Sequence, residues 1–252
     1  MAENNETVET SALAVPLTPG ETLVSIRNLS SGYGGVPVLH DLNFDVGQEV
    51  FTILGANGAG KTTLLATLAR LIPIMNGTVT VNGTETTDIA PADSARLGVG
   101  YVPQEAAVFP DLSVIENLTI GGMVGDRSPD ERLEEIFETF PDLRTKTSLR
   151  AGDLSGGESR MVACGRALMQ DPSVLLLDEP TAGLSPLYVE LFFEKIAQIH
   201  ADRGVAIILT EQNATLALGI ADRVMVMTLG KGSTPIPADE VTTASLKEAY
   251  KL

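Results

Sequence analysis

The sequence predicts an α/β fold with a parallel-sheet core, and three observations carry that expectation. An apolar run, Val50-Phe51-Thr52-Ile53-Leu54, leads straight into a glycine-rich loop, Gly55 to Thr62, and then into residues of helical spacing. From Val174 onward, strand-like and helix-like segments alternate, the pattern of βαβ units and a parallel sheet. Between these halves, from Ser113 to about Gln170, helical character dominates.

The elements follow in order. Residues 1 to about 20 are polar, acidic and punctuated by prolines, and read as a disordered tail. Met1 to Glu9 carry three acids and no base, so no secretory signal is expected. A β-rich region comes next: Leu23 to Arg27, Val38 to Val46 with partial alternation, then Val50 to Leu54. Lys61 to Leu71 is predicted helical, with Leu64, Leu65, Leu68 and Leu71 sharing one face. Thr78 to Gly83 reads as a strand ending in a turn. Asp130 to Phe140 is amphipathic, with Leu133, Ile136, Phe137 and Phe140 on one side. The later alternation runs Val174 to Asp178, Pro186 to His200, Val205 to Thr210, Asn213 to Ala221 and Arg223 to Met227. No internal repeat or long linker interrupts it. The simplest account is one α/β domain with a helical insertion from Glu105 to about Arg166.

Composition narrows the classes. The chain has 252 residues, 44% of them apolar, enough for a sizeable core. A formal net charge of −16 argues against a nucleic-acid backbone as partner and against anchoring on anionic lipid by a basic patch. The single cysteine, Cys164, rules out a disulfide framework within the chain and fits a reducing compartment. It lies in an apolar helical run and reads as a buried structural thiol. No apolar stretch approaches the ~20 residues of a membrane helix, so any work at a membrane requires another chain to span it.

Three motifs carry chemistry. Gly55-Ala56-Asn57-Gly58-Ala59-Gly60-Lys61-Thr62 matches G-x-x-x-x-G-K-[ST], followed by Thr63. Its glycines let the chain wrap a phosphate with inward N–H groups. Lys61 supplies a point charge to the β- and γ-phosphates, and the Thr62 hydroxyl suits Mg²⁺. Val174 to Asp178 is a buried strand ending in an acid that is expected to hold Mg²⁺, usually through water. Glu179 follows. If the strand continues, its side chain points opposite to Asp178, placed to polarise the attacking water as general base. Leu154-Ser155-Gly156-Gly157-Glu158 opens an apolar-periodic helix through Met161, Val162, Arg166 and Leu168. Ser155, Gly156 and Gly157 then sit at a helix N-terminus, where free N–H groups attract an anion such as a γ-phosphate. A plain serine N-cap with a glycine turn would give the same string.

In this order the three motifs resemble the ABC transporter ATPases, and the resemblance covers nearly the whole chain, from about Leu23 to Leu252. It implies a P-loop NTPase fold: an antiparallel β subdomain, a parallel-sheet core and a helical subdomain at about 105–166, in one ATPase domain at 21–252. It also implies ATP with Mg²⁺, held between two subunits so that the signature of one covers ATP on the P-loop of the other. Tyr33, in Ser31-Gly32-Tyr33-Gly34, matches the aromatic that stacks on adenine; a tyrosine merely ending a β-segment is the alternative. Gln104, in Tyr101-Val102-Pro103-Gln104-Glu105, matches the Q-loop glutamine, which contacts Mg²⁺ or the water and joins the helical subdomain. Ala182-Gly183-Leu184-Ser185 occupies the D-loop without the acid commoner in fourth place. The family's switch histidine is missing. After the strand Val205 to Leu209 comes Thr210-Glu211-Gln212-Asn213, and the position falls to Gln212, which can donate a hydrogen bond but cannot become a cation. His40 and His200 lie elsewhere.

Glu211-Gln212-Asn213, with Phe140-Pro141-Asp142-Leu143 and Arg166-Ala167-Leu168-Met169, further resembles the second ATPase of branched-chain amino-acid import systems, a branch shared with urea and amide importers. The resemblance implies an ATP-hydrolysing subunit powering uptake of such small polar solutes. Its place would be peripheral, on the cytoplasmic face of a bacterial or archaeal inner or plasma membrane. Its partners would be a second ATPase subunit (a paralogue, or a second copy), a separate integral-membrane permease docking near Gln104 and, indirectly, an extracytoplasmic solute-binding protein; nucleic acid is not among them. Two other classes compete. A non-transport ABC protein of repair would carry a long coiled coil, and one of translation two cassettes and basic patches; this chain has neither. An exporter ATPase is left open by the motifs. No Asn-Lys-x-Asp motif points to guanine.

Overall fold

The structure, a computed structural model, describes residues 22–105, 107–124 and 127–242. The predicted N-terminal tail lies outside the described residues. The chain starts with β1 (Val24–Tyr33), β2 (Val36–Val46) and β3 (Val50–Leu54), followed by the glycine loop and α1 (Lys61–Leu68). Next come β4 (Ile74–Val81), β5 (Thr84–Glu85), α2 (Pro91–Arg96) and β6 (Val99–Val102). The helical stretch contains α3 (Val114–Gly121), α4 (Pro129–Thr139), α5 (Pro141–Arg144) and α6 (Gly156–Leu168). The alternation closes the chain: β7 (Val174–Asp178), α7 (Pro186–Arg203), β8 (Ala206–Glu211), α8 (Ala214–Ala217), β9 (Arg223–Thr228), β10 (Lys231–Gly232) and β11 (Ile236–Pro237).

Two sheets result. The first has the order β2-β1-β4-β5, with antiparallel pairing throughout. The second has the order β10-β9-β3-β8-β7-β6; its run from β9 to β6 is parallel, and β10 and β11 add to β9 antiparallel. Every residue of β3, β7 and β8 is buried, as expected of parallel strands covered on both faces. The pleat sorts them. Leu175, Leu177, Ile207 and Leu209 pack towards α3, α4, α6 and α7. Val174, Leu176, Ala206 and Ile208 pack on the other side, with α1 and the antiparallel sheet. Cys164 is fully buried in the helical side of this core, where burial pushes its thiol up to about 12; it is a packing residue.

Several boundaries differ from the sequence expectation, each for a local reason. Helix α1 stops at Leu68. Arg70 turns left-handed (φ 62), and the Leu71 N–H closes back on the Ala66 carbonyl at 2.8 Å. This is a Schellman-type closure made without the usual glycine, and it leaves Leu71 outside the helix and 57% exposed. Strand β8 starts at Ala206 and runs through Glu211, because parallel pairing with β3 continues to Leu54 opposite Glu211. Helix α8 is one turn, capped by Asn213 Oδ1 accepting from the Thr215 N–H at 3.1 Å.

Parallel pairing brings the C-terminal ends of β3, β6, β7 and β8 to one edge. Asp178 lies opposite Thr210 there. The loops leaving that edge carry the glycine motif, Gln104, Glu179 and Gln212. The carboxyl end of a parallel sheet is where such folds bind ligands.

Candidate functional site

A cavity of about 420 Å³ opens at this edge. Asn57, Gly58, Gly60, Lys61, Thr62 and Thr63 form its floor, Tyr33 and Val38 one wall, and Gln104 and Glu179 another. The loop conformation depends on its glycines: Gly58 (φ 79) and Gly60 (φ 101) take the left-handed region that L-side chains avoid. Tyr33 ends β1 and is 55% exposed, its ring available to a flat apolar partner. Val38 escaped sequence reasoning, since a valine in a strand carries no functional signature.

Lys61 is the centre of the arrangement. Its ammonium is buried and donates to the carbonyls of Gly55 (2.7 Å) and Ala56 (3.1 Å). It also pairs with Glu179 Oε1 at 2.9 Å. The other Glu179 oxygen accepts from Gln104 Nε2 at 3.2 Å. Strand β7 ends at Asp178, so the premise of simple alternation across to Glu179 is not met. Glu179 instead takes a left-handed conformation (φ 41), a strained state for a non-glycine residue. The turn itself directs its carboxylate to Lys61.

Asp178 lies beneath, 1% exposed. Its Oδ1 accepts from the Thr210 hydroxyl at 2.8 Å, and that hydroxyl accepts in turn from the Glu179 N–H at 3.0 Å. Burial pushes the Asp178 carboxyl up; the Thr210 hydrogen bond and the nearby Thr62 hydroxyl pull it back. Oδ2 is buried without a hydrogen-bond partner. Such an atom calls for a partner, and one beside a threonine hydroxyl and a phosphate cradle suits a hard cation that prefers oxygen ligands. Among the described residues no cluster of three His, Cys, Asp or Glu could hold a metal, so a cation here would share Thr62 and Asp178 with phosphate oxygens.

Other expected residues lie outside the cavity lining. Gly55 and Ala59 support the loop through backbone bonds, Ala59 accepting from the Gly230 N–H at 2.8 Å. Gln212 is exposed directly after β8, its N–H donating to Glu211 Oε2 at 3.3 Å. Glu211 itself is buried and braces the D-loop, accepting from the Thr181 hydroxyl at 2.7 Å. Its carboxyl is pushed up by burial and pulled back by Thr181. Thr210 and Glu211 had no assigned role in the sequence, because their partners stand about 30 residues away and meet them only through strand register.

Ser155 caps α6 and Gly156 and Gly157 open it, and none of the three is among the residues lining this cavity. Ser155 and Glu158 form a reciprocal capping box, so the serine N-cap reading holds within the chain itself. Arg160, one turn on, donates to the carbonyls of Pro103 (2.9 Å) and Gln104 (3.0 Å). It ties the signature helix to the loop bearing Gln104. A methyl group on Gly157 would come within 2.2 Å of Tyr188 Cδ1. Gly157→Ala is therefore expected to cost about 1–3 kcal/mol in urea unfolding, and much less when introduced into a Tyr188→Ala chain, where the clash is gone.

Fold and cavity define a P-loop nucleotide-binding protein with a second anion-seeking helix end. The family model described as "ABC transporter" matches residues 39–182. BraG of Pseudomonas aeruginosa, a high-affinity branched-chain amino acid transport ATP-binding protein, is 40% identical over 83% of this chain and 90% of its own. LivF of Archaeoglobus fulgidus, a probable branched-chain amino acid transport ATP-binding protein, is 38% identical over 81% and 87%. A solved ATP-binding subunit of an ABC transporter superposes with a TM-score of 0.78 at 27% identity, covering 91% of this chain and 98% of that one. The chain belongs to the ABC transporter family, as one of its ATP-binding cassettes. No helix among the described residues is long and apolar enough to cross a membrane.

Proposed function

We propose that this chain is the ATP-hydrolysing subunit of an importer for branched-chain amino acids or a related small polar solute. It would be a single cassette at 21–252, with a helical subdomain at about 105–166, working beneath a separate membrane permease. One observation carries the mechanism: the P-loop, Tyr33, Gln104 and Glu179 share a cavity, while the signature residues Ser155 to Gly157 do not line it. A chain so divided completes its site only by facing a second ATPase subunit, a paralogue or another copy. The similarity to BraG and LivF supports the solute class.

The residues then take ordered roles. Tyr33 and Val38 receive the adenine face. Lys61 exchanges Glu179 for the β- and γ-phosphates, and the N–H groups of Asn57 to Thr63 wrap them. Mg²⁺, when bound, neutralises charge on the phosphate oxygens, and Thr62 and Asp178 are the groups to hold it, with Gln104 beside them. Glu179, released from Lys61, accepts the proton of the attacking water. Gln212 donates to the γ-phosphate. Closure of the pair aligns these groups, and positioning with charge neutralisation supplies the catalysis.

Affinity purification from membranes tests the assignment. Co-purification with an integral-membrane permease and a solute-binding protein, and ATP-dependent uptake of labelled leucine in reconstituted vesicles, are expected. Recovery with ribosomes alone would sink the transport reading, and ATP-driven efflux would replace import by export. At the switch position, Gln212→Ala is expected to lower kcat by about 10²-fold with little change in ATP affinity. An unchanged kcat would reduce Gln212 to a structural residue.

A further inference from the structure

The signature of this chain ends in an acid. Glu158 lies in the same helical turn that must attract a phosphate, and its Oε2 is 2.8 Å from both the Ser155 N–H nitrogen and the Ser155 hydroxyl oxygen. A carboxylate there opposes the polyanion that Ser155, Gly156 and Gly157 would receive. It also occupies the serine hydroxyl that would bond to it. The structure supplies a counterweight from another segment: Lys146 Nζ pairs with Glu158 Oε1. Lys146 sits on a turn held on both sides, its N–H donating to Leu143 O at 3.0 Å and its carbonyl accepting from Leu149 N at 2.9 Å. The turn is fastened to α3 by the Ile115 N–H on Thr147 O (3.0 Å) and the Val114 N–H on Leu149 O (2.9 Å). The lysine is thus presented, not merely nearby.

We propose that Lys146 is a positioning residue for the signature: it cancels the charge of Glu158 and anchors that carboxylate, so that the α6 N-terminus stays attractive to a γ-phosphate carried by the facing subunit. The proposal rests on the reading that the signature faces the partner's ATP. Glu158 is held down to about 2, first by the Lys146 contact and then by the Ser155 N–H, so the acid is ionised whenever ATP arrives. Its charge must be neutralised by a partner, because it is not lost by protonation. Lys146 also gives the Glu158 carboxylate a second hold, besides the Ser155 hydroxyl that donates to it at 2.8 Å. With the carboxylate fixed by the ammonium and the Ser155 N–H, the hydroxyl can turn its proton to the phosphate without loosening the cap.

The test compares Lys146→Met, Lys146→Arg and Lys146→Met/Glu158→Gln, each in a Glu179→Gln chain that retains ATP. The readout is the concentration of Mg-ATP giving half-maximal dimerisation by analytical ultracentrifugation. Lys146→Met is expected to raise it about three- to tenfold, less at high salt. Lys146→Arg and the double variant should both return it to within about twofold of the parent. ATP binding to the monomer should not move in any of them. A double variant as impaired as Lys146→Met, or a Lys146→Met chain that dimerises like its parent, overturns the proposal. If the Glu179→Gln parent itself fails to pair, self-closure fails, and the same variants with Glu179 intact are scored by the KM for ATP hydrolysis in the assembly purified with its permease. There the same ratios are required, and their absence overturns the proposal equally.

Discussion

Glu179→Gln is expected to lower steady-state turnover by about 10²–10⁴-fold, while the protein binds ATP more tightly than the parent and stays paired. Two physical effects combine. Loss of the carboxylate removes the group placed to take the proton from water. It also removes the anion that holds Lys61 at 2.9 Å in the nucleotide-free arrangement. In the parent, incoming phosphate must displace that carboxylate from a buried ammonium; in the variant the ammonium faces only neutral acceptors, the carbonyls of Gly55 and Ala56 and an amide. Gln keeps the size of the side chain and one oxygen, which can accept from Gln104 or from Lys61 but not hold the ammonium as a charge. Fluorescent-nucleotide titration and single-turnover hydrolysis separate the effects. Normal turnover would remove Glu179 as the base. Slow turnover with weakened ATP binding would show that Glu179 shapes the cavity instead of competing with phosphate.

How much of this was legible beforehand follows from the range of each interaction. The P-loop, the acid-ended strand and the signature could be read because each depends on a local string: glycines where φ is positive, an apolar run buried on both faces, a serine three residues before an acid. The convergence of Gln104, Glu179 and Lys61 was expected only through resemblance to a family. What composes it physically is the register of β6, β7, β8 and β3, which no single segment encodes. The same limit hid Thr210, whose hydroxyl bridges Asp178 and Glu179 across paired strands, and Lys146, which meets Glu158 from the far side of a turn. Local misreadings had local causes. Leu71 continued the apolar spacing of α1, but the left-handed Arg70 ended the helix without a glycine to announce it. The side of Glu179 follows from alternation only if the strand continues, and the strand ends at Asp178.

Lys61→Ala is expected to have the largest combined effect, and a double variant divides it. Removing the ammonium should weaken ATP binding by about 10²-fold or more, the worth of a charged hydrogen bond to phosphate. It also leaves Glu179 with a buried carboxylate and only Gln104 as partner. A fully buried orphaned charge costs about 3–5 kcal/mol. Glu179 borders the cavity and can turn towards water, so about 1–3 kcal/mol is the expected loss in urea unfolding. In Lys61→Ala/Glu179→Gln the charge is gone. Most of the stability should return while ATP binding stays lost, a non-additivity that only coupled residues show. If the double variant is as unstable as Lys61→Ala alone, Lys61 stabilises the fold chiefly through the carbonyls of Gly55 and Ala56. The resting ion pair would then contribute little, and tighter ATP binding in Glu179→Gln could not be ascribed to a competing carboxylate. The two experiments therefore constrain one quantity, the strength of the Lys61–Glu179 contact that nucleotide must break.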